Sequence, residues 1–165
     1  MNSRNKILKS LKLNTIEEFP KPDLDALFAK AIVFDNPLEK FKESLARAGG
    51  KLIMLPEGMS VEECAASQFD STYTIIKGGV AVAENGAVWV MQQIEDRSEY
   101  FLPEALAIII DKENIVNNMH EASSMIDTGD YGYGVFMSGP SKTADIESAL
   151  VIGAHGPRKL VVICK

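Results

Sequence analysis

The stretch Leu38-Glu-Lys-Phe-Lys-Glu-Ser-Leu-Ala-Arg-Ala-Gly-Gly-Lys-Leu-Ile-Met-Leu-Pro56 decides how the chain is read. Leu38, Phe41, Leu45 and Ala48 recur at helical spacing and share one face, and Gly49-Gly50 supplies the flexible pair that ends a helix. The run from Lys51 to Leu55, apolar from Leu52 on and stopped by Pro56, reads as a strand. A helix feeding straight into a strand is the unit of a parallel sheet.

Outward from this unit the alternation continues. Ser60 caps a second helix, with Glu63 completing a capping box, and the β-branched residues at 72–76 form a strand. At 80–90 two short apolar runs flank Asn85-Gly86, the signature of a tight β-hairpin that interrupts the parallel pattern. Residues 105–110 read as a buried strand. A helix follows over 113–126, with Ile115, Met119, Ala122 and Ile126 on one face. A strand at 134–137, a helix at 143–150 and a last strand at 160–164 complete the pattern. The expected fold is a single α/β domain over residues 1–165: three layers, a mainly parallel sheet with helices on both faces, and one β-hairpin. Residues 1–36 contribute a short basic amphipathic helix and an extended arm. The arm can serve as a lid, a wrapping arm or a homo-oligomer contact.

Composition narrows the partners. With 165 residues, 46% of them hydrophobic, the chain can bury a core of its own. A net charge of −6 offers no attraction to a phosphate backbone, so nucleic acid is excluded as a natural partner. The longest apolar runs fall far short of the roughly 20 residues needed to span a bilayer. The basic N-terminal segment has neither the apolar stretch of a secretory signal nor the composition of a transit peptide, which predicts a cytoplasmic protein. Cys64 and Cys164 lie far apart in the chain and read as buried thiols, so this chain is expected to hold no metal, iron–sulfur cluster or other cofactor of its own.

The turn Ser138-Gly139-Pro140-Ser141-Lys142-Thr143 joins an expected strand to an expected helix. Two hydroxyls, a lysine and the free N–H groups of a helix start would make an anion site of about millimolar strength. The same residues also suit a plain helix cap. The Walker phosphate loop is excluded because Phe136 and Ser141 stand where it needs glycine, and Gly129, Gly132 and Gly134 fail the Rossmann spacing. On the expected helix Lys142 and Asp145 share a side, so Asp145 can position the lysine. Asp145 and Glu147 diverge by about 200° and cannot flank one atom.

A second turn, Gly153-Ala154-His155-Gly156-Pro157, holds an imidazole between glycines; His155 suits general acid–base work or a backbone hydrogen bond equally. The third, Glu84-Asn85-Gly86, is explained by hairpin conformation alone. His120 reads as structural. Two histidines and two separated cysteines assemble neither a hydrolytic triad nor a metal-ligand set.

The run from Ser138 to Glu147, together with Gly153-Ala-His-Gly-Pro157, resembles the lactate-utilisation protein C family, the LUD-domain proteins. Ala83-Glu84-Asn85-Gly86-Ala87 is similar to that family's hairpin, with Asn85 and Ala87 replacing hydroxyl residues, and Arg4, Ile7 and Leu8 resemble its opening helix. The resemblance implies the fold shared with sugar-phosphate isomerases, coenzyme A transferases and formyltetrahydrofolate cyclo-ligase. It also implies a part in bacterial oxidation of L-lactate to pyruvate, as an accessory or small-anion-binding subunit beside iron–sulfur partner proteins. Ligand contacts would come from Glu84, Asn85, Gly86, Ser138, Gly139, Pro140, Ser141, Lys142, Thr143, Asp145 and Gly156, for a carboxylate or phosphate. Two alternatives stay open at this point. One is a free-standing enzyme of that fold acting on a small phosphate or carboxylate compound, with Glu147 or His155 as acid–base catalyst; the other is a pure interaction surface.

Overall fold

The structure is a computed structural model that describes residues 2–13, 19–20, 23, 31–92, 95–126, 132–144, 150–153 and 156–165. The chain divides into two compact units, Met1–Lys30 and Ala31–Lys165. The first contains helix α1 (Ser3–Leu13), whose basic residues alternate with exposed Ile7, Leu8 and Leu11.

The second unit is built on the helix–strand pair expected from residues 38–56. Helix α2 (Pro37–Ala48) starts where the Asn36 side chain accepts from the Glu39 N–H and Pro37 presets the first turn. It ends in a Schellman motif, with Gly49 at φ 93°, its N–H on the Ala46 carbonyl and the Gly50 N–H on the Leu45 carbonyl. Strand β1 (Lys51–Met54) follows at once. Helix α3 (Val61–Ala66) opens with the expected reciprocal capping box between Ser60 and Glu63.

The central sheet is parallel. Strands β2 (Tyr73–Lys77), β5 (Ala105–Ile110) and β10 (Lys159–Cys164) join β1 in the order β1-β10-β5-β2. The continuous apolar runs of β5 and β10 are buried on both sides, as inner strands of a parallel sheet require. Ala107, Val161 and Ile163 face Cys64 and Ala65 of α3. Leu106, Ile108, Val162 and Cys164 face the main core with Phe41 and Leu45 of α2.

That second face is shared with another sheet, ordered β6-β3-β4-β7. It comprises β3 (Ala81–Val82), β4 (Ala87–Met91), β6 (Ile115–Val116) and β7 (Gly134–Met137). The β3–β4 hairpin is antiparallel as expected, with four residues, 83–86, between its paired positions. Val88 and Val90 enter the main core, while Val82, Trp89 and Phe136 on the opposite side pack with Ala122 of helix α4 (Met119–Met125).

Two expected helices are corrected. The helix over 113–126 begins only at Met119, because Ile115-Val116 pairs in parallel with β3 and Asn118 then caps the helix through the His120 and Glu121 N–H groups. The helix over 143–150 is absent at both its described ends. Strand β8 (Lys142–Ala144) pairs antiparallel with β9 (Leu150–Ile152), and residues 145–149 lie outside the described residues. Long-range bonds decide this: the Ser141 N–H reaches the Pro157 carbonyl and the Ser141 carbonyl takes the Gly153 N–H, which fixes an extended backbone before any helical turn can start.

Of the expected arm, residues 31–36 are stitched into the fold. The Phe34 N–H donates to Asn117 Oδ1, and the Ile32 carbonyl accepts from Asn118 Nδ2. No helix among the described residues is long and apolar enough to cross a membrane.

Candidate functional site

Two of the three glycine-containing turns pack on the C-terminal half of α2, and the third packs on one of them at Ser141. At the hairpin, Gly86 (φ 69°) lies so close to α2 that a Cβ would stand 2.4 Å from the Leu45 nitrogen. Buried Ser44 hydrogen-bonds through its hydroxyl to the Glu84 carbonyl, at 3.3 Å. At the second turn, Gly139 (φ 71°) has the same relation to the Ala48 carbonyl, again at 2.4 Å. Both positions need glycine twice over, for the left-handed backbone and for the close approach.

The turns also touch each other. Ser138 Oγ donates to the Asn85 carbonyl at 2.8 Å, and a Cβ on Gly156 would lie 3.0 Å from that of Ser141. Pro140 and Pro157 are buried between them. Glu84, Asn85, Gly86, Ser138, Gly139, Pro140, Ser141, Lys142 and Gly156 are thus brought into one cluster. Thr143 continues into β8, where it pairs with Val151. Asp145, Glu147 and His155 lie outside the described residues.

The chemistry of the cluster differs from the expected anion cradle. Lys142 sits at a helix end rather than a helix start: its ammonium donates to the carbonyl of Ala48, the last residue of α2. A lysine there offsets the negative end of the helix dipole. The turn follows β7, an edge strand of the second sheet, and its partners Ala48 and Pro157 precede β1 and β10. It therefore stands at the amino end of the parallel sheet, not at the carboxyl end where such sheets usually bind ligands.

The hairpin carboxylate is likewise occupied. Glu84 Oε1 accepts from the Met119 N–H at 3.3 Å, and Asn85 Oδ1 folds back on the Ala87 N–H at 3.0 Å. Beside them lies a polar network that the sequence reading missed. Asn118, 1% exposed, donates to Glu121 Oε1, and Glu121 also accepts from the Asn117 backbone and side chain. The spacing Asn118-x-x-Glu121 is the signal that would have revealed it. His120 is exposed.

The LUD domain matches residues 26–164. The chain belongs to the LUD-domain family. It is 30% identical over 128 residues to lactate utilization protein C of Bacillus pumilus, covering 73% of this chain and 53% of that protein. The protein of the same name from Geobacillus kaustophilus is 35% identical over 91 residues, 51% of this chain and 38% of that one. The chain thus spans about half or less of the length of these curated relatives. A crystal structure of a DUF162-family protein from Deinococcus radiodurans superposes with a TM-score of 0.50 at 14% identity, over 78% of this chain and 95% of the other, which shows the shared fold.

In this LUD domain the motif cluster adjoins a cleft of about 550 Å³ at the same amino end of the sheet, lined by Asp70, Ser71, Glu104, Ile152, Arg158 and Lys159. The Lys159 ammonium hydrogen-bonds Asp70 and holds its carboxyl below the usual range. Among the described residues no group of three His, Cys, Asp or Glu side chains is placed to hold a metal ion. Both cysteines are buried free thiols, and burial pushes the Cys164 thiol up.

Proposed function

We propose that this LUD domain is an accessory, small-anion-binding component of bacterial L-lactate utilisation, acting beside iron–sulfur partner proteins in the oxidation of L-lactate to pyruvate. The observation that carries the reading is the interlocking of the family's three motif segments, two of them seated on α2 and the third on Ser141, in a chain whose curated relatives bear the name lactate utilization protein C. Sequence-distant turns that lock together at glycines form a rigid platform, and a platform of this kind suits holding a ligand or a partner more than it suits moving one. The electrons of lactate oxidation would pass through the partners, and this chain would need no cofactor of its own.

Deleting the gene in its host tests the reading. Loss of growth on L-lactate as sole carbon source, restored by the wild-type gene, is the expected result, with iron–sulfur proteins co-purifying under anaerobic conditions. Undiminished growth on L-lactate would end it, and turnover of a small phosphate or carboxylate compound by the purified chain alone would replace it with an enzymatic role.

A further inference from the structure

We infer that the cleft at the amino end of the parallel sheet binds a small monocarboxylate carrying a hydrogen-bond donor on the neighbouring carbon, with Arg158 as the carboxylate-binding residue. This deepens the small-anion reading above and rests on it only for the choice of L-lactate as probe.

Arg158 is held in place from two sides. Its backbone N–H donates to the Glu104 carbonyl at 2.8 Å, where β5 and β10 begin. Its aliphatic stem lies across Gly153 so closely that a Cβ there would stand 2.1 Å from Arg158 Cγ. Glycine at 153, in a left-handed backbone at φ 77°, is what gives the stem its path. A guanidinium carried on a fixed stem is a pre-formed planar fork, which matches a carboxylate with two parallel hydrogen bonds.

The other charges in the cleft set the ligand class. Lys159 is committed to Asp70 at 2.5 Å. Among the described residues the Arg158 guanidinium has no carboxylate partner, and the Glu104 side chain has no cationic one, although both line the cleft. A cation and an anion that have no partner of opposite charge among the described residues suit a ligand that brings a carboxylate together with a hydroxyl or ammonium donor. The donor would be accepted by Glu104 or by the Ser71 hydroxyl. With Asp70 neutralised by Lys159, the Glu104 carboxylate beside Arg158 disfavours a second negative charge on the ligand, which discriminates against inorganic phosphate as a dianion. Ile152, 48% exposed, offers apolar surface for a short alkyl group. A cleft of about 550 Å³ holds such a molecule with room for water.

The test is an NMR titration of the full chain with L-lactate, following the arginine side-chain N–H signals, with pyruvate and inorganic phosphate as competitors. A saturable shift of the Arg158 signal is expected, with pyruvate weaker for want of a donor and phosphate unable to displace L-lactate. Arg158→Ala and Arg158→Lys should each weaken binding at least about tenfold, the latter because an ammonium loses the planar fork. Glu104→Gln should admit phosphate. Arg158→Lys and Glu104→Gln keep long polar side chains at exposed positions, so they decide the matter even if Arg158→Ala folds poorly. Equal L-lactate affinity in wild type and Arg158→Lys, no saturable shift in wild type, or displacement by phosphate would each overturn the site. Normal growth of the deletion strain on L-lactate would remove the pathway reading and leave this site standing. Indifference to Arg158 would do the reverse.

Discussion

Lys142 donates its ammonium hydrogen bond to the carbonyl of Ala48, 94 residues earlier in the chain, and so completes the C-terminus of α2. The Schellman turn satisfies the Leu45 and Ala46 carbonyls and leaves the Ala48 oxygen to a side chain. Lys142→Met keeps the aliphatic stem and removes the charge. It should lower stability by about 0.3–1 kcal/mol, the usual worth of a cation at an exposed helix end, and the loss should shrink in high salt. Urea denaturation at low and high ionic strength measures both; a salt-independent loss would assign the effect to packing instead.

Gly139 and Gly58 share a left-handed backbone, at φ 71° and 77°, but differ in their surroundings. A Cβ at Gly139 meets the Ala48 carbonyl at 2.4 Å, whereas one at Gly58 meets nothing within 4 Å. Gly58→Ala should therefore cost only the conformational strain, about 1 kcal/mol. Gly139→Ala must also push α2 away, costing about 2–4 kcal/mol in all. Denaturation midpoints of the two variants compare them directly. Similar midpoints would mean that the close approach of the 138–140 turn to α2 is not kept in solution.

The parallel sheet was legible because the runs at 105–110 and 160–164 are short and apolar throughout, the pattern of inner strands buried on both sides. Helix α2 was legible from four apolar positions and a Gly-Gly stop, and the Ser60–Glu63 box from its spacing. The strand at 142–144 was not. Three residues carry no usable period, and their conformation is imposed by the bonds of Ser141 to Pro157 and Gly153. Gly86 and Gly139, from separate motifs, both pack on α2. What they accommodate, the backbone of α2 at Leu45 and Ala48, is too distant in sequence to be read. For the same reason Lys142 was assigned to a helix start. Arg158 carried a weak signal, a lone arginine between Gly156-Pro157 and the last strand, and only the fold puts it in a cleft with Glu104.

Acid should weaken the start of α3. The backbone N–H and hydroxyl of Ser60 donate to Glu63 and hold its carboxyl below the usual range. A carboxylate with a depressed folded-state pKa contributes stability that is present above its unfolded-state value and is lost as pH falls through the lower folded value. Glu63→Gln should flatten that part of the acid limb and leave the neutral-to-alkaline limb unchanged. Ser60→Ala should return the Glu63 titration, followed by carboxyl NMR, toward its ordinary position. An unmoved Glu63 titration in that variant would show that the reciprocal cap does not persist in solution.

Asn118 ties the segment at Ile32 to the start of α4. Its Oδ1 caps α4 through the His120 and Glu121 N–H groups, and its Nδ2 reaches the Ile32 carbonyl and Glu121 Oε1. Asn118→Ala loses the cap, about 1 kcal/mol, and strands the partners of the amide, for a total of about 2–3 kcal/mol. Asn118→Asp separates the two roles, because it retains the capping oxygen and replaces the donor with a second carboxylate facing Glu121. Repulsion there raises the folded-state pKa of the new carboxyl, so the penalty is full at neutral pH and falls as acid protonates it, restoring a donor. Urea midpoints of wild type and both variants, at neutral pH and near pH 4, should show the Asn118→Asp deficit shrinking in acid while the Asn118→Ala deficit stays nearly constant. Parallel pH profiles for the two variants would mean that the amide donor bonds to Ile32 and Glu121 contribute nothing to the fold.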